Sequence, residues 1–430
     1  MGTEIDLTVG HVMVDWSKNS RGYDHGALFQ MSDLTHIHSD QTNYEYCEEH
    51  GVDTEPAERA LSRSLKSVVP RLELLGFTLD ATKSAYEALL AEYLEYQNDI
   101  LEMNGANSPA PLPFTEFIEF LTRHPLESLD STFVEGFGSE DRARIRSRFV
   151  SDPAHDRIPQ MEQSDGYSES SYFGSLIGFL HPYFVMRMLA LVPQNHTSEV
   201  VWHYGTLVNN GWAQEIEFAP NARREQTFLI ATEGSSDVHI LKHAISLLMP
   251  EVQDFFRFID VSERHPFSGT GGLVKFAEGL VKIDVQNRIL FLFDNDAEGW
   301  SAFDDVQRYQ LPPNMRTMVL PELDEFRNFA AFGPQGVKAG DINRRAAAIE
   351  CYLDLRLEGR PPARVVWTNY KKERNDYQGS LEYKETYMRA FLDQTPQTIA
   401  TGAYDVGKLR TVLDCVFREC CTMSLAHSTP

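Results

Sequence analysis

The stretch Ile289-Leu290-Phe291-Leu292-Phe293 constrains the fold of this chain more than any other. Consecutive apolar side chains leave a strand no polar face to turn to water. They predict a strand covered on both sides within a parallel sheet, with Asp294-Asn295-Asp296-Ala297-Glu298-Gly299 directly after it. A similar unit comes earlier. The apolar run at 227–232 leads into Glu233-Gly234-Ser235-Ser236-Asp237, then into a helical pattern through Val238, Leu241, Ile245 and Leu248. Residues 255–261 and 316–320 read as further strands, and 271–283 and the segment after Gly299 as helices. Strands alternating with helices of about ten to fifteen residues predict βαβ units and an α/β domain.

The N-terminal half has a different texture. Its first fifty residues read as strands and loops. Leu61, Leu65, Val68, Val69, Leu72 and Leu75 predict a helix over 58–75, stopped by Gly76. Asp80 stands where it can cap a second helix striped by Ala85, Leu89, Tyr93 and Tyr96. Residues 104–113 read as a loop, 172–191 as helical, and the polar segment 151–171 as a flexible connector. A length of 430 residues suits two or three domains. The expected division is a mostly helical α+β region over 1–222, an α/β core over 223–330, and a helical extension over 331–430 that completes it.

Charge and cysteines narrow the function. Lys and Arg number 39 against 63 Asp and Glu, a net charge of −24. That field opposes binding to phosphate backbones unless a local basic groove, metal ions or a partner supply positive charge. No run of 18 apolar residues occurs, so no membrane-spanning segment is expected. The first ten residues carry Glu4 and Asp6 and no basic stretch, unlike a secretory signal. The five cysteines form no CxxC pair, which argues against a zinc knuckle or a disulfide scaffold. A cytoplasmic setting follows as the expectation.

The two acidic clusters carry the chemistry. Glu233 and the Asp294/Asp296 pair each lie just beyond the carboxyl end of a predicted buried strand, the edge where open α/β sheets bind ligands. Residues two apart on extended chain point the same way, so both aspartates can face one site. Carboxylates without His or thiolate suit Mg²⁺ or Mn²⁺ better than zinc. Each cluster has a plainer reading. Glu-Gly after a strand is commonly a turn. Asp294, Asp296, Glu298 and Gly299 imitate the opening of a calcium loop, but Asp305 stands where that loop needs Glu, and a strand precedes it. Ser268-Gly269-Thr270-Gly271-Gly272 before a helix offers free amides to a phosphate, yet lacks the Lys-Ser/Thr of a P-loop.

Taken together, strand–Glu233-Gly-x-x-Asp237–helix and strand–Asp294-x-Asp296-x-x-Gly299 resemble the Toprim fold of topoisomerases, primases and several nucleases. Several flanking stretches resemble HEPN/Toprim-associated proteins: Gly333-Pro334-Gln335-Gly336, the run from Asp341 to Glu350, Tyr377-Gln378-Gly379 with Lys384, and the N-terminal residues 72–79. The resemblance implies a C-terminal Toprim domain (a Rossmann-like parallel sheet) behind an N-terminal HEPN/Toprim-associated region. It implies a Mg²⁺- or Mn²⁺-dependent nuclease of anti-phage defence, with nucleic acid as substrate and a protein of the same defence system as a candidate partner. Self-association is compatible with it, and a membrane role is not expected. Carried onto this chain, Glu233 becomes the acid/base or metal-ligand glutamate and Asp294 and Asp296 metal ligands. Asp237, Asp341 and Glu350 are further candidate ligands, the last two expected at either end of a helical stretch. Lys384, in a basic aromatic stretch with Tyr370, Lys371, Lys372, Arg374, Tyr377 and Tyr383, is a candidate for offsetting phosphate charge. The alternative reading is a non-catalytic sensor or regulatory module. HEPN ribonucleases use an Arg and a His a few residues apart on a helix. Arg148 and His155 imitate that pair, but Pro153 between them interrupts a helix, so they are expected to play no such part.

Overall fold

The computed structural model describes residues 2–39, 42–104, 109–135, 138–160, 165–259, 267–357, 359, 361–371 and 376–427. The chain divides into two compact units, Met1–Ala222 and Arg223–Pro430.

The first unit is built on strands β1 (Glu4–Val9), β2 (Val12–Lys18), β3 (Leu34–His36), β4 (Arg59–Ser64) and β5 (Glu199–His203). They form an antiparallel sheet in the order β2-β1-β5-β4-β3. Its helices are α1 (Tyr44–His50), α2 (Leu65–Leu74), α3 (Leu79–Asn104), α4 (Phe114–Arg123), α5 (Ser139–Val150), α6 (Glu169–Ile177), α7 (Pro182–Leu189) and α8 (Gly205–Asn209). Ile5, Leu7 and Val9 alternate into the core from β1 and share it with Leu65, Val68 and Leu72 of α2.

Several expectations need correction here. The helix expected over 58–75 begins only at Leu65, because Arg59–Ser64 pairs with β3 and β5 as a central strand. Sheet pairing outweighed a pattern that fits a helix locally. Its stop is as expected. Gly76 has φ 98°, and the Gly76 and Phe77 amides donate to the Glu73 and Leu72 carbonyls, a Schellman arrangement whose positive φ glycine takes without a Cβ penalty. The cap of α3 is Thr78, whose hydroxyl accepts from the Ala81 amide at 3.1 Å, and not Asp80. The segment expected as a connector holds a 3₁₀ turn at His155–Arg157 and buries Ala154 and Ile158 in this core.

The second unit contains β6 (Phe228–Ala231), α9 (Ser235–Leu248), β7 (Phe256–Phe258), α10 (Thr270–Lys282), β8 (Arg288–Phe293), β9 (Asn295–Asp296), α11 (Ala297–Gln307) and β10 (Met315–Val319). Strands β10-β8-β6-β7 form a sheet that is parallel throughout. Every apolar residue of β8 is buried, as its sequence demanded. Then come β11 (Phe329–Gly333), β12 (Gly336–Gly340), β13 (Ala346–Ala347), β14 (Val365–Lys371) and β15 (Asp376–Leu381). Helices α12 (Lys384–Leu392), α13 (Pro396–Ala400) and α14 (Gly407–His427) close the unit. The stretch after 330, expected to be helical, thus carries a second sheet, β12-β11-β14-β15, and a short ladder of β13 on β9. Among the described residues no helix is long and apolar enough to cross a membrane, and no cysteine is in a disulfide.

Candidate functional site

Glu233 and Asp294 lie 61 residues apart in sequence, yet β6 and β8 are neighbours in register, Ala231 opposite Phe291. Parallel pairing delivers both carboxylates to one edge. The Asp294 amide donates to Glu233 Oε1 at 3.1 Å. Two residues on, Asp296 caps α11, its Oδ1 accepting from the Gly299 amide at 2.7 Å. Asp237, in the first turn of α9, accepts from the Gly234 amide at 2.8 Å. A 3₁₀ turn at Ile349–Tyr352 brings the Ile349 amide to Asp294 Oδ1 at 3.1 Å and buries Glu350 beside it. Lys384, at the start of α12, reaches Glu350 at 3.9 Å with its own side chain 55% exposed. Tyr383 before it sits at φ 57°, an uncommon backbone for a bulky residue.

Five carboxylates therefore crowd one edge, and four of them hold their protons more tightly for it. Burial, then the Asp296 charge, pushes Glu233 up to about 8. Burial, then Glu350, pushes Asp237 up to about 7. Burial, followed by Asp237, Glu233, Asp296 and Glu350, holds Asp294 well above the usual carboxylate range. Asp296 is raised too, chiefly by burial, although the Gly299 amide and Gln378 donate to it.

Backbone detail explains two motif residues. A Cβ on Gly299 would sit 2.2 Å from the Asp294 carbonyl oxygen, so the first turn of α11 can close on the strand end only with glycine there. Asn295, between the aspartates, is fully buried. Its Oδ1 accepts from Trp300 Nε1 and the Arg344 amide, and its Nδ2 donates to Asn343 and Tyr352.

Other expected residues fall elsewhere. Asp341 begins no helix. Its Oδ1 accepts from the Asn343 amide and side chain, a turn role that engages none of the crowded carboxylates. The span from Asp341 to Glu350 is a turn, β13 and the start of the 3₁₀ segment, because the chain here pairs with β9 instead of coiling. Lys371 pairs with Glu298 at 2.5 Å, while Lys372 and Arg374 lie outside the described residues. The sequence marks Gln378 only as part of a flanking motif and not as a site residue. It donates to Asp296 Oδ2 at 2.5 Å, and no local pattern announces such a contact across 82 residues. Arg148 and His155 do not converge. Arg148, on α5, donates to His124 and to Ser128, whereas His155 pairs with the Tyr172 hydroxyl.

In donor chemistry the edge fits a hard divalent cation, since its donors are oxygen alone and share a repulsion that such an ion relieves. In spacing it does not yet do so: among the described residues no three His, Cys, Asp or Glu side chains are placed to hold one ion. Glu233, Asp237, Asp294 and Asp296 are each turned onto a backbone amide.

Fold and site define a two-unit α+β and α/β protein with a buried acidic edge on a parallel sheet. The profile of the HEPN/Toprim N-terminal domain 1 family matches residues 1–226, more than half of the chain, and the chain belongs to that family. No curated protein and no solved structure matches it.

Proposed function

We propose that the second unit is a Toprim-type catalytic domain that hydrolyses nucleic acid phosphodiesters with Mg²⁺ or Mn²⁺, in cytoplasmic defence against phage. The convergence of Glu233, Asp237, Asp294, Asp296 and Glu350 on the carboxyl edge of β6 and β8 carries this reading. Glu233, Asp294 and Asp296 would hold the cation, with Asp237 and Glu350 behind them. Such an ion, when bound, activates water and offsets charge on the leaving oxygen. The chain's own residues then do the rest. Lys384, half-exposed at the rim, meets the phosphate while Glu350 steadies its ammonium. Glu233, hydrogen-bonded to the Asp294 amide beside the Asp294/Asp296 pair, is alternatively the group that gives or takes a proton, a role open to it only where it is not itself a ligand of the ion. A nucleic acid approaching a chain of charge −24 needs those cations, or a partner protein of the same defence system, before it can settle.

The absence of a ready three-ligand arrangement among the described residues favours a second reading, in which this unit is a non-catalytic sensor. Incubating the full chain with labelled DNA and RNA in Mg²⁺, Mn²⁺ or EDTA separates the two. Cleavage that needs the metal and disappears in Asp294→Ala supports the nuclease. Cleavage that persists in EDTA removes it, and metal-insensitive binding without cleavage supports the sensor.

A further inference from the structure

We propose that Gln378 is a positioning residue for the acidic edge, holding the Asp296 carboxylate in its working orientation from a second sheet. This rests on the cation-dependent reading above. Both ends of the Gln378 amide are committed. Its Nε2 donates to Asp296 Oδ2 at 2.5 Å, and its Oε1 accepts from the Ala297 amide at 3.0 Å. A flipped amide would set oxygen against a carboxylate and NH₂ against an N–H, so the contacts themselves fix which way it points. Asp296 Oδ1 is held independently by the Gly299 amide. Donors from different elements, the Gln378 amide from one sheet and backbone amides in the first turn of α11, therefore fix the plane of one carboxylate. Hydrogen-bonded partners of this kind orient metal-binding carboxylates and raise their affinity.

The strand that carries Gln378 is itself fastened to the site. The Gly379 amide donates to the Arg345 carbonyl at 3.1 Å, and Arg345 pairs with Asp376 at 2.6 Å. A Cβ on Gly379 would lie 2.7 Å from Val365 Cγ1 and 2.8 Å from the Trp367 ring, so the residue beside Gln378 has no room to be anything larger. On the partner strand β14, Lys371 pairs with Glu298 in the first turn of α11. Glutamate at 378 would oppose Asp296 with like charge, asparagine is one methylene short, and methionine keeps the length but has no donor.

The test uses the full chain. Mn²⁺ affinity is measured by calorimetry and by electron paramagnetic resonance for wild type, Gln378→Met, Gln378→Glu and Asp294→Ala, with unfolding of each followed in EDTA. Gln378→Met is expected to weaken Mn²⁺ binding by about 10–100-fold, to keep a cooperative unfolding transition, and to recover cleavage at high Mn²⁺. Gln378→Glu should lose more. Should Gln378→Met not fold, Gln378→Asn replaces it with the same expected direction. Wild type that binds with Gln378→Met unchanged overturns this inference alone. Wild type that does not bind Mn²⁺, or Asp294→Ala that binds it as wild type does, overturns the cation reading and this inference with it.

Discussion

Asp152 in the first unit and the acidic edge of the second treat carboxyl groups withdrawn from water in opposite ways. In the first, Asp152 has its charge answered: Arg123 donates to both oxygens at 2.8 and 3.0 Å, and His124 meets one at 3.1 Å. Burial alone works to raise this carboxyl, but those donors and the Ala154 amide outweigh it and hold it down at about 2. Arg71, fully buried, is likewise satisfied by the Ala27 and Phe29 carbonyls. In the second unit, burial and like-charged neighbours push Glu233 to about 8. A buried charge with its partner present serves the fold, since leaving either group unmatched is costly. Buried like charges without such a partner oppose the fold, and a ligand that neutralises them accounts for their being there.

The sharpest way to break this comparison is to remove one carboxylate from each unit. Asp294→Ala should reduce cleavage to background while leaving cation-free stability equal to or above wild type, because it relieves repulsion. Asp152→Ala should leave cleavage intact and destabilise by about 1–3 kcal/mol, because Arg123 and His124 lose their acceptor. Denaturant unfolding in EDTA measures both, and a destabilised Asp294→Ala would reverse the contrast.

The two glycines that follow the acidic clusters should differ next. Gly299→Ala drives a Cβ against the Asp294 carbonyl and should cost roughly 1–3 kcal/mol together with most of the activity. Gly234 sits at φ −146°, and a Cβ added there would meet nothing closer than Asp237 Oδ2 at 3.6 Å, an ordinary contact. Gly234→Ala should therefore stay within about 0.5 kcal/mol of wild type. Equal losses in paired thermal scans would mean that the packing around Asp294 is not what fixes the edge.

Proton linkage sharpens the contrast further. Glu233 rises from 4.5 to about 8 and Asp237 from 3.8 to about 7, so between those values the folded chain binds more protons than the unfolded one. Stability from this source is complete below about pH 4 and is lost as pH climbs to 8. Asp152, lowered from 3.8 to about 2, acts the other way: its contribution is present above pH 3.8 and is lost on acidification toward 2. In EDTA, wild type should therefore lose more stability than Glu233→Gln from about pH 5 to about pH 8, and Mg²⁺ should narrow the gap. Parallel profiles for the two proteins would remove Glu233 from the cluster's electrostatics.

The smallest effect on activity is expected in the first unit. His155→Ala should leave cleavage unchanged and cost about 0.5–1.5 kcal/mol through its lost bond to Tyr172. Loss of RNA cleavage in this variant, with cleavage persisting in EDTA, would transfer the enzyme to the N-terminal unit.

What the sequence determined by itself was whatever depends on neighbours along the chain. The unbroken apolar run of β8 announced a strand buried on both faces, Gly76 announced the end of α2, and Glu233, Asp294 and Asp296 announced an acidic strand edge. What it misjudged was decided at long range. Arg59–Ser64 carries a helix-compatible pattern but lies between two strands, and the span from Asp341 to Glu350 gives up a helix to pair with β9. The approach of Glu350 and Lys384 to the edge, the separate turn role of Asp341, and the grip of Gln378 on Asp296 were decided only by the tertiary structure. The reason is physical. Periodicity and capping report which side of a segment meets water, a property each segment carries with it, whereas strand order and register fix which distant side chains meet, and these are settled by the packing of all segments at once.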